Sequence, residues 1–242
     1  MSGSAPDSAI PRRCLVTGAN RGLGLEFVRQ LLARGDRVIA TSRHPGRAHA
    51  LNQLAGQNPG RLHVLPLDVA EPKTHAELAR ELPLVTEGDG IDLLINNAGV
   101  LHSGERFGHV AAAQLDDSLR TNAAGPFLIT QALAPHLAEG ARVANLSSML
   151  GSIASVDGFH TPTYAISKAA QNMATVLLAQ ALRERGITVI ALHPGWVQTD
   201  MGGKGAQVTP ADSARGLLGV IDSVGIADSG RFIDWQGNAL PW

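Results

Sequence analysis

Seven short apolar runs, set between segments of helical periodicity, constrain this chain more than any other feature. The runs "LVT", "VIA", "LLIN", "VANL" and "TVIAL" are nearly continuous in apolar residues. A strand wet on one face alternates, whereas a strand covered on both faces need not. The segment "LGLEFVRQLLARG" sets Leu23, Phe27, Val28, Leu31 and Leu32 at helical spacing and stops at Gly35. Helices alternating with such strands cover both faces of a parallel sheet, so the expected class is α/β.

The order of elements follows. Strands are expected at "RCLVTG", "RVIATS", "RLHVLPLDV", "IDLLINNAG", "ARVANLSS", "ITVIALHPG" and "GRFIDWQG". Between them lie a weak helix at "GRAHALNQLAG" and a helix at "AEPKTHAELARELP". A long helix spans residues 114–138 with an irregularity at Gly125-Pro126, and another spans 162–185, closed by Gly186. The helix "TPADSARGLLGVIDSV" takes Thr209 as N-cap and Pro210 at its first position. No 20–50-residue repeat, low-complexity block or linker interrupts the 242 residues, so a single domain over 1–242 is the economical reading. Residues 1–11, "MSGSAPDSAIP", read as a loose terminal arm, lacking the basic start and apolar stretch of a signal peptide.

Composition removes several classes. A formal net charge of −1 offers no basic excess for nucleic acid. No apolar run approaches the roughly 20 residues that span a bilayer. Cys14 is the only cysteine and lies in an apolar run, so it is expected as a buried core thiol. It permits no intrachain disulfide and fits a reducing, cytoplasmic setting. The nine histidines show no metal spacing, with no H-E-x-x-H and no C-x-x-C, and His193 before Pro194 is expected to be structural. There is no G-x-S-x-G elbow of a hydrolase.

"TGANRGLGLEF" joins the first strand to the first helix, with Gly18, Gly22 and Gly24 spaced G-x-x-x-G-x-G. Small residues let backbone approach a pyrophosphate, and a helix start offers free N–H groups and a positive dipole end. A tight turn with positive φ would explain the glycines equally well, but placement after the first strand favours a dinucleotide. NAD sites tend to carry an acid at the end of the second strand. Here "VIATSRHP" offers Thr41, Ser42 and Arg43 instead, and Arg21 adds a second guanidinium. Two cations and two hydroxyls suit a 2′-phosphate, so NADPH is expected over NADH.

Taken together, these segments resemble the short-chain dehydrogenase/reductase superfamily from Cys14 to near the C-terminus. "TGANRGLG", "LDV", "NNAG" at Asn96–Gly99, "TNAAGPF", "NLSSMLG", "YAISK" and "HPGWVQTDMGG" occur in the expected order. The last of these and "GRFIDWQGNALPW" are similar to the C-factor-like and Sniffer-like carbonyl reductases. The resemblance implies a Rossmann-type doubly wound parallel sheet of about seven strands with helices on both faces. It implies cofactor contacts at Gly18, Asn20, Arg21, Gly22, Leu23, Gly24, Ser42, Arg43, Asp68, Val69, Asn97, Ala98, Gly99, Pro194, Gly195, Val197 and Thr199, besides Tyr164 and Lys168. It also implies pairing of the fourth and fifth helices between subunits, as a homodimer or homotetramer.

Tyr164, the only tyrosine, and Lys168 are an i, i+4 pair on one helix face. A free phenol titrates near pH 10, and a cation within about 4–6 Å lowers that value. The resemblance makes Tyr164 the proton donor to a carbonyl that receives hydride. Lys168 tunes it and bonds the nicotinamide ribose, Ser148 stabilises the oxyanion, and Asn122 holds a relay water. Ser148 is preferred to Ser147 because the family serine precedes x-x-G, here Met149-Leu150-Gly151. Residues 196–208, with four glycines and few anchors, are expected to form a substrate loop that orders on binding. Met149, Leu150, Phe159, Trp196 and Met201 are the candidate walls of a pocket for a small carbonyl compound. The alternatives are an NAD-linked alcohol or hydroxysteroid dehydrogenase, and a non-catalytic dinucleotide-binding signalling protein.

Overall fold

A computed structural model of the chain describes residues 11–242. The expected arm lies outside the described residues, apart from Pro11. Seven strands form one sheet: β1 (Arg13–Val16), β2 (Arg37–Ser42), β3 (Leu62–Pro66), β4 (Ile91–Asn96), β5 (Leu137–Leu146), β6 (Thr188–His193) and β7 (Phe232–Asp234). Their order is β3-β2-β1-β4-β5-β6-β7, and every pairing is parallel. The helices are α1 (Gly22–Ala33), α2 (His49–Gln57), α3 (Pro72–Thr86), α4 (Ala112–Leu119), α5 (Gly125–Leu133), α6 (Pro162–Ala181) and α7 (Pro210–Ser223).

Strand alternation splits the core in two. Cys14 and Val16 pack among α1, α2 and α7, while Leu15 between them packs among α3, α5 and α6. All three are fully buried, which is why β1 reads as a continuous apolar run. Burying a side chain the size of Leu15 contributes about 1.5–3 kcal/mol. The expected doubly wound sheet is the observed one. Thr209 caps α7 by accepting from the Asp212 N–H at 3.1 Å, with Pro210 at its first position, as the sequence predicts.

Three elements differ from expectation. The predicted helix over 114–138 is two helices joined by a π segment, Arg120–Ala124, and β5 already begins at Leu137. Pro126 has no N–H to continue the i→i−4 ladder, and the Gly125 N–H reaches back to the Arg120 carbonyl instead. Only glycine fits at 125, because a Cβ there would lie 2.7 Å from the Val69 carbonyl oxygen. Helix α3 runs past Pro83 to Thr86, since Leu82 and Thr86 are buried on either side of the exposed proline. Helix α6 ends at Ala181, and a 3₁₀ turn over Arg183–Arg185 carries the chain to Gly186 at φ 66°.

Candidate active site

The strand order reverses beside β1, whose neighbours are β2 and β4. An open α/β sheet forms its ligand crevice at such a point, outside the carboxyl ends of the strands. A cleft of about 580 Å³ lies there. The end of β1 is tied to the end of β4: Thr17 Oγ1 accepts from the N–H groups of Asn97 and Ala98 at 3.0 and 3.1 Å. Asn97 Nδ2 returns bonds to the carbonyls of Thr17 and Gly18. This brace holds the glycine loop tight. A Cβ on Gly18, at φ 63°, would meet Ala98 Cα at 2.8 Å, and one on Gly24 would meet the Gly18 oxygen at 2.4 Å. The N-cap of α1, Arg21, makes no side-chain cap bond, so no side chain occupies the first-turn N–H groups beside the cleft. A diphosphate fits such a cradle.

Every cofactor contact that the resemblance implies lines this one cleft: Gly18, Asn20, Arg21, Gly22, Leu23, Gly24, Ser42, Arg43, Asp68, Val69, Asn97, Ala98, Gly99, Tyr164, Lys168, Pro194, Gly195, Val197 and Thr199. Arg21 makes an ion pair with Asp200 at 3.1 Å, both side chains exposed. Ser42 Oγ accepts from the His44 N–H, and Asp68 Oδ1 accepts from the Ala70 N–H. Thr41 does not line the cleft: it is fully buried, and its carbonyl accepts from Ala19 N–H at 2.9 Å.

Tyr164, Ser148 and Lys168 meet at the same cleft, on α6 and at the end of β5. Burial pushes the Tyr164 phenol up to about 12, against a hydrogen bond from Ser148 that lowers it. The Lys168 ammonium sits 5.5 Å from the centre of the phenol ring and bonds the Leu146 carbonyl at 2.6 Å and Gln171 Oε1 at 2.9 Å. Burial brings it down to about 7. The expectation of a phenol lowered by the lysine is therefore opposed within the protein's own groups: burial dominates both side chains and raises the phenol. The phenol keeps its proton at neutral pH.

Asn122 is fully buried behind the cleft wall. It lies in the π segment, accepts from the Val100 N–H, and donates to the Val100 carbonyl and to Ser167 Oγ. Its side chain ties the β4–α4 loop to α6. Sequence reasoning missed how polar the inner face of α6 is. Thr163, Ser167, Gln171 and Thr175 are all fully buried, at strict spacings of four, while Ile166, Met173 and Leu177 are exposed. Beneath them Asn96 bonds Thr130 and Asn145, and Asn145 bonds Thr175. The four-residue spacing of polar side chains was the available signal.

Residues 196–208 are more anchored than their glycines imply, which corrects the expectation of few anchors. Trp196 Nε1 donates to the Gly202 carbonyl at 2.8 Å, the Gln198 N–H donates to the Val208 carbonyl, the Val208 N–H to the Trp196 carbonyl, and the Gly203 N–H to the Thr199 carbonyl. Of the predicted walls, Leu150, Trp196 and Met201 line the cleft. Met149 and Phe159 do not: the Met149 N–H is held by His193 Nδ1 at 3.2 Å, and Phe159 packs edge-on against Phe107 at 5.6 Å. That contact gives His193 the structural place expected of it. Cys14 is buried as expected, and burial pushes its thiol up.

A braced glycine loop and a Ser–Tyr–Lys cluster at a switch-point cleft define a dinucleotide-dependent oxidoreductase. The chain belongs to the short chain dehydrogenase family, whose sequence pattern matches residues 12–208. It is 45% identical to C-signal of Myxococcus xanthus over 154 residues, 63% of this chain and 93% of that protein. It superposes on NADPH-bound carbonyl reductase from chicken fatty liver with a TM-score of 0.91 and 38% identity, covering 97% of this chain and 100% of that one. The carbonyl reductase Sniffer of D. melanogaster gives a TM-score of 0.92 at 32% identity, covering 96% and 100%.

Proposed function

We propose that the protein is an NADPH-dependent carbonyl reductase acting on a small-molecule aldehyde or ketone, with residues 1–242 as one catalytic domain. The observation that carries this is the convergence of the buried Tyr164 phenol, Ser148 and Lys168 on one cleft with the glycine loop. Bound dihydronicotinamide supplies a hydride to the carbonyl carbon. The chain does the rest. Ser148 donates a hydrogen bond to the carbonyl oxygen, and Tyr164 delivers its proton to that oxygen as charge builds there. A phenol kept protonated by burial suits donation in the reductive direction. Lys168 holds positive charge near the phenolate that this leaves, and Asn122 fixes the π segment that backs the lysine.

Arg43 and Ser42, at the far end of the cleft, would receive the 2′-phosphate, with Arg21 beside the diphosphate. The end of β2 carries no carboxylate for a free ribose hydroxyl, which favours NADPH over NADH. The NADPH-bound state of the chicken carbonyl reductase agrees with this reading. Leu150, Trp196 and Met201 offer an apolar wall to the substrate. The test is NADPH oxidation against aldehydes, ketones, quinones and steroid ketones, repeated with NADH and with Tyr164→Phe. We expect Tyr164→Phe to lose about 10²–10⁴-fold in kcat, the range of general acid catalysis, while NADPH binding holds. Unchanged turnover in that variant removes the mechanism.

A further inference from the structure

We propose that Gln171 is a positioning residue for Lys168, clamping its ammonium with the Leu146 carbonyl so that one N–H remains for the cleft. The inference rests on the reading of Lys168 as the lysine of the reductase site. Gln171 follows Lys168 by three residues, on the same face of α6. It is fully buried, and its Oε1 accepts from Lys168 Nζ at 2.9 Å. Leu146 O takes a second N–H at 2.6 Å. An ammonium has three donors, and Lys168 lines the cleft, so the third is left to it.

The other end of the Gln171 side chain is the second observation. Its Nε2 is buried and has no hydrogen-bond partner among the described residues. A buried amide with both N–H donors unpaired is destabilising, and an apolar side chain of the same shape would avoid it. The amide cannot be turned round, because Lys168 requires an acceptor. The residue is thus unfavourable for packing and favourable only for the lysine. Among the described residues the groups around the ammonium are neutral, the protonated Tyr164 phenol on its own helix included. Strand β5 presents the Leu146 carbonyl. A Cβ placed on Gly99 would meet Asn122 Oδ1 at 3.1 Å and Lys168 Nζ at 3.9 Å, so the π segment's amide stands on that side. The turn at Gly151 presents backbone, packed against Lys168 Cβ. Among the described residues, Gln171 therefore supplies the one side-chain acceptor that holds the ammonium in place.

The chain has three lysines, Lys73, Lys168 and Lys204. Protein carrying ¹³C at lysine Cε gives three resonances whose titration reads each amine directly, without turnover. We expect the Lys168 midpoint to fall by roughly one pH unit in Gln171→Met, which keeps the length and removes the acceptor. It should rise by at least as much in Gln171→Glu, which adds a charge to the acceptor. Lys73 and Lys204 serve as fixed references. In the same variants kcat for NADPH oxidation should fall about tenfold in Gln171→Met, while its thermal midpoint is unchanged or raised. A Lys168 midpoint that stays put in both folded variants overturns the inference. So does a loss of thermal stability in Gln171→Met with kcat intact, which is the mark of a packing residue. A shifted midpoint in a protein that reduces no carbonyl would leave the clamp standing and remove the reductase reading.

Discussion

Ser147 and Ser148 are consecutive, yet their hydroxyls serve opposite sides of the chain. Ser147 Oγ donates to Asn172 Oδ1 at 2.5 Å in the buried seam between β5 and α6. Ser148 lines the cleft together with Tyr164, and its Oγ accepts from the Leu150 N–H at 3.2 Å. Strand alternation continuing past Leu146 separates them. Ser148→Ala should therefore lower kcat by about 10²–10³-fold, the cost of one oxyanion donor, and leave the urea midpoint nearly fixed. Ser147→Ala should spare kcat and lose roughly 1–3 kcal/mol in urea unfolding, because Asn172 Oδ1 is left buried and unpaired. The reverse pattern would exchange the two assignments.

Cofactor choice separates the two arginines. Arg21 is already engaged by Asp200, whereas Arg43 follows β2 directly, where the 2′-substituent of the adenosine ribose would lie. A charge-assisted hydrogen bond contributes about 1.5–3 kcal/mol. Arg43→Ala should weaken NADPH binding roughly 10–100-fold, from that energy, and change NADH binding little. Arg21→Ala should weaken both cofactors alike and more modestly. Paired fluorescence titrations decide it, and equal losses for both cofactors at Arg43 would remove the 2′-phosphate role.

The sheet was legible because its central strands are buried on both faces, so they carry nearly continuous apolar runs. The cleft was legible because its parts are strand ends, and strand ends sit together in a parallel sheet whatever the helices do. What escaped was held in long-range contacts. Nothing local to Pro83 says that Leu82 and Thr86 will be buried around it and carry α3 onward. The π segment follows from Pro126 only once Gly125 is seen against the Val69 carbonyl. Phe159 is outside the cleft lining and meets Phe107, which is far off in sequence. Gln171 looked like any helical glutamine, since its partner is another side chain of the same helix and its burial is set by strands elsewhere.

Helix α6 is inverted, with hydroxyls and amides inside and Ile166, Met173 and Leu177 outside. Those three lie at i, i+7 and i+11, one stripe along the helix. A contiguous apolar stripe on a surface marks an interaction site, and the family resemblance leads us to propose a second copy of the chain, as a homodimer or homotetramer. Light scattering on a sizing column should show an oligomer for the wild type, and Met173→Lys should move it toward monomer. A monomeric wild type at micromolar concentration would end this proposal.

Lys168 gives stability a pH dependence of known sign. Its folded value is near 7, against an ordinary value of 10.5. Below pH 7 the folded chain carries the buried charge and its full desolvation cost. Between about 7 and 10.5 the unfolded chain binds the proton and the folded chain does not, so stability rises with pH. At about 1.4 kcal/mol per unit this contribution totals roughly 4–5 kcal/mol. Tyr164 acts in the opposite sense at higher pH. Its folded value of about 12 exceeds the ordinary 10, so between these the folded chain binds the extra proton and stability falls. Lys168→Met removes the first effect and keeps the second. The stability of the variant relative to wild type should therefore shrink by roughly 4 kcal/mol between pH 6 and pH 10 in urea unfolding. A difference that does not change with pH would mean that Lys168 titrates as an ordinary lysine and keeps a cation beside the Tyr164 phenol throughout the neutral range.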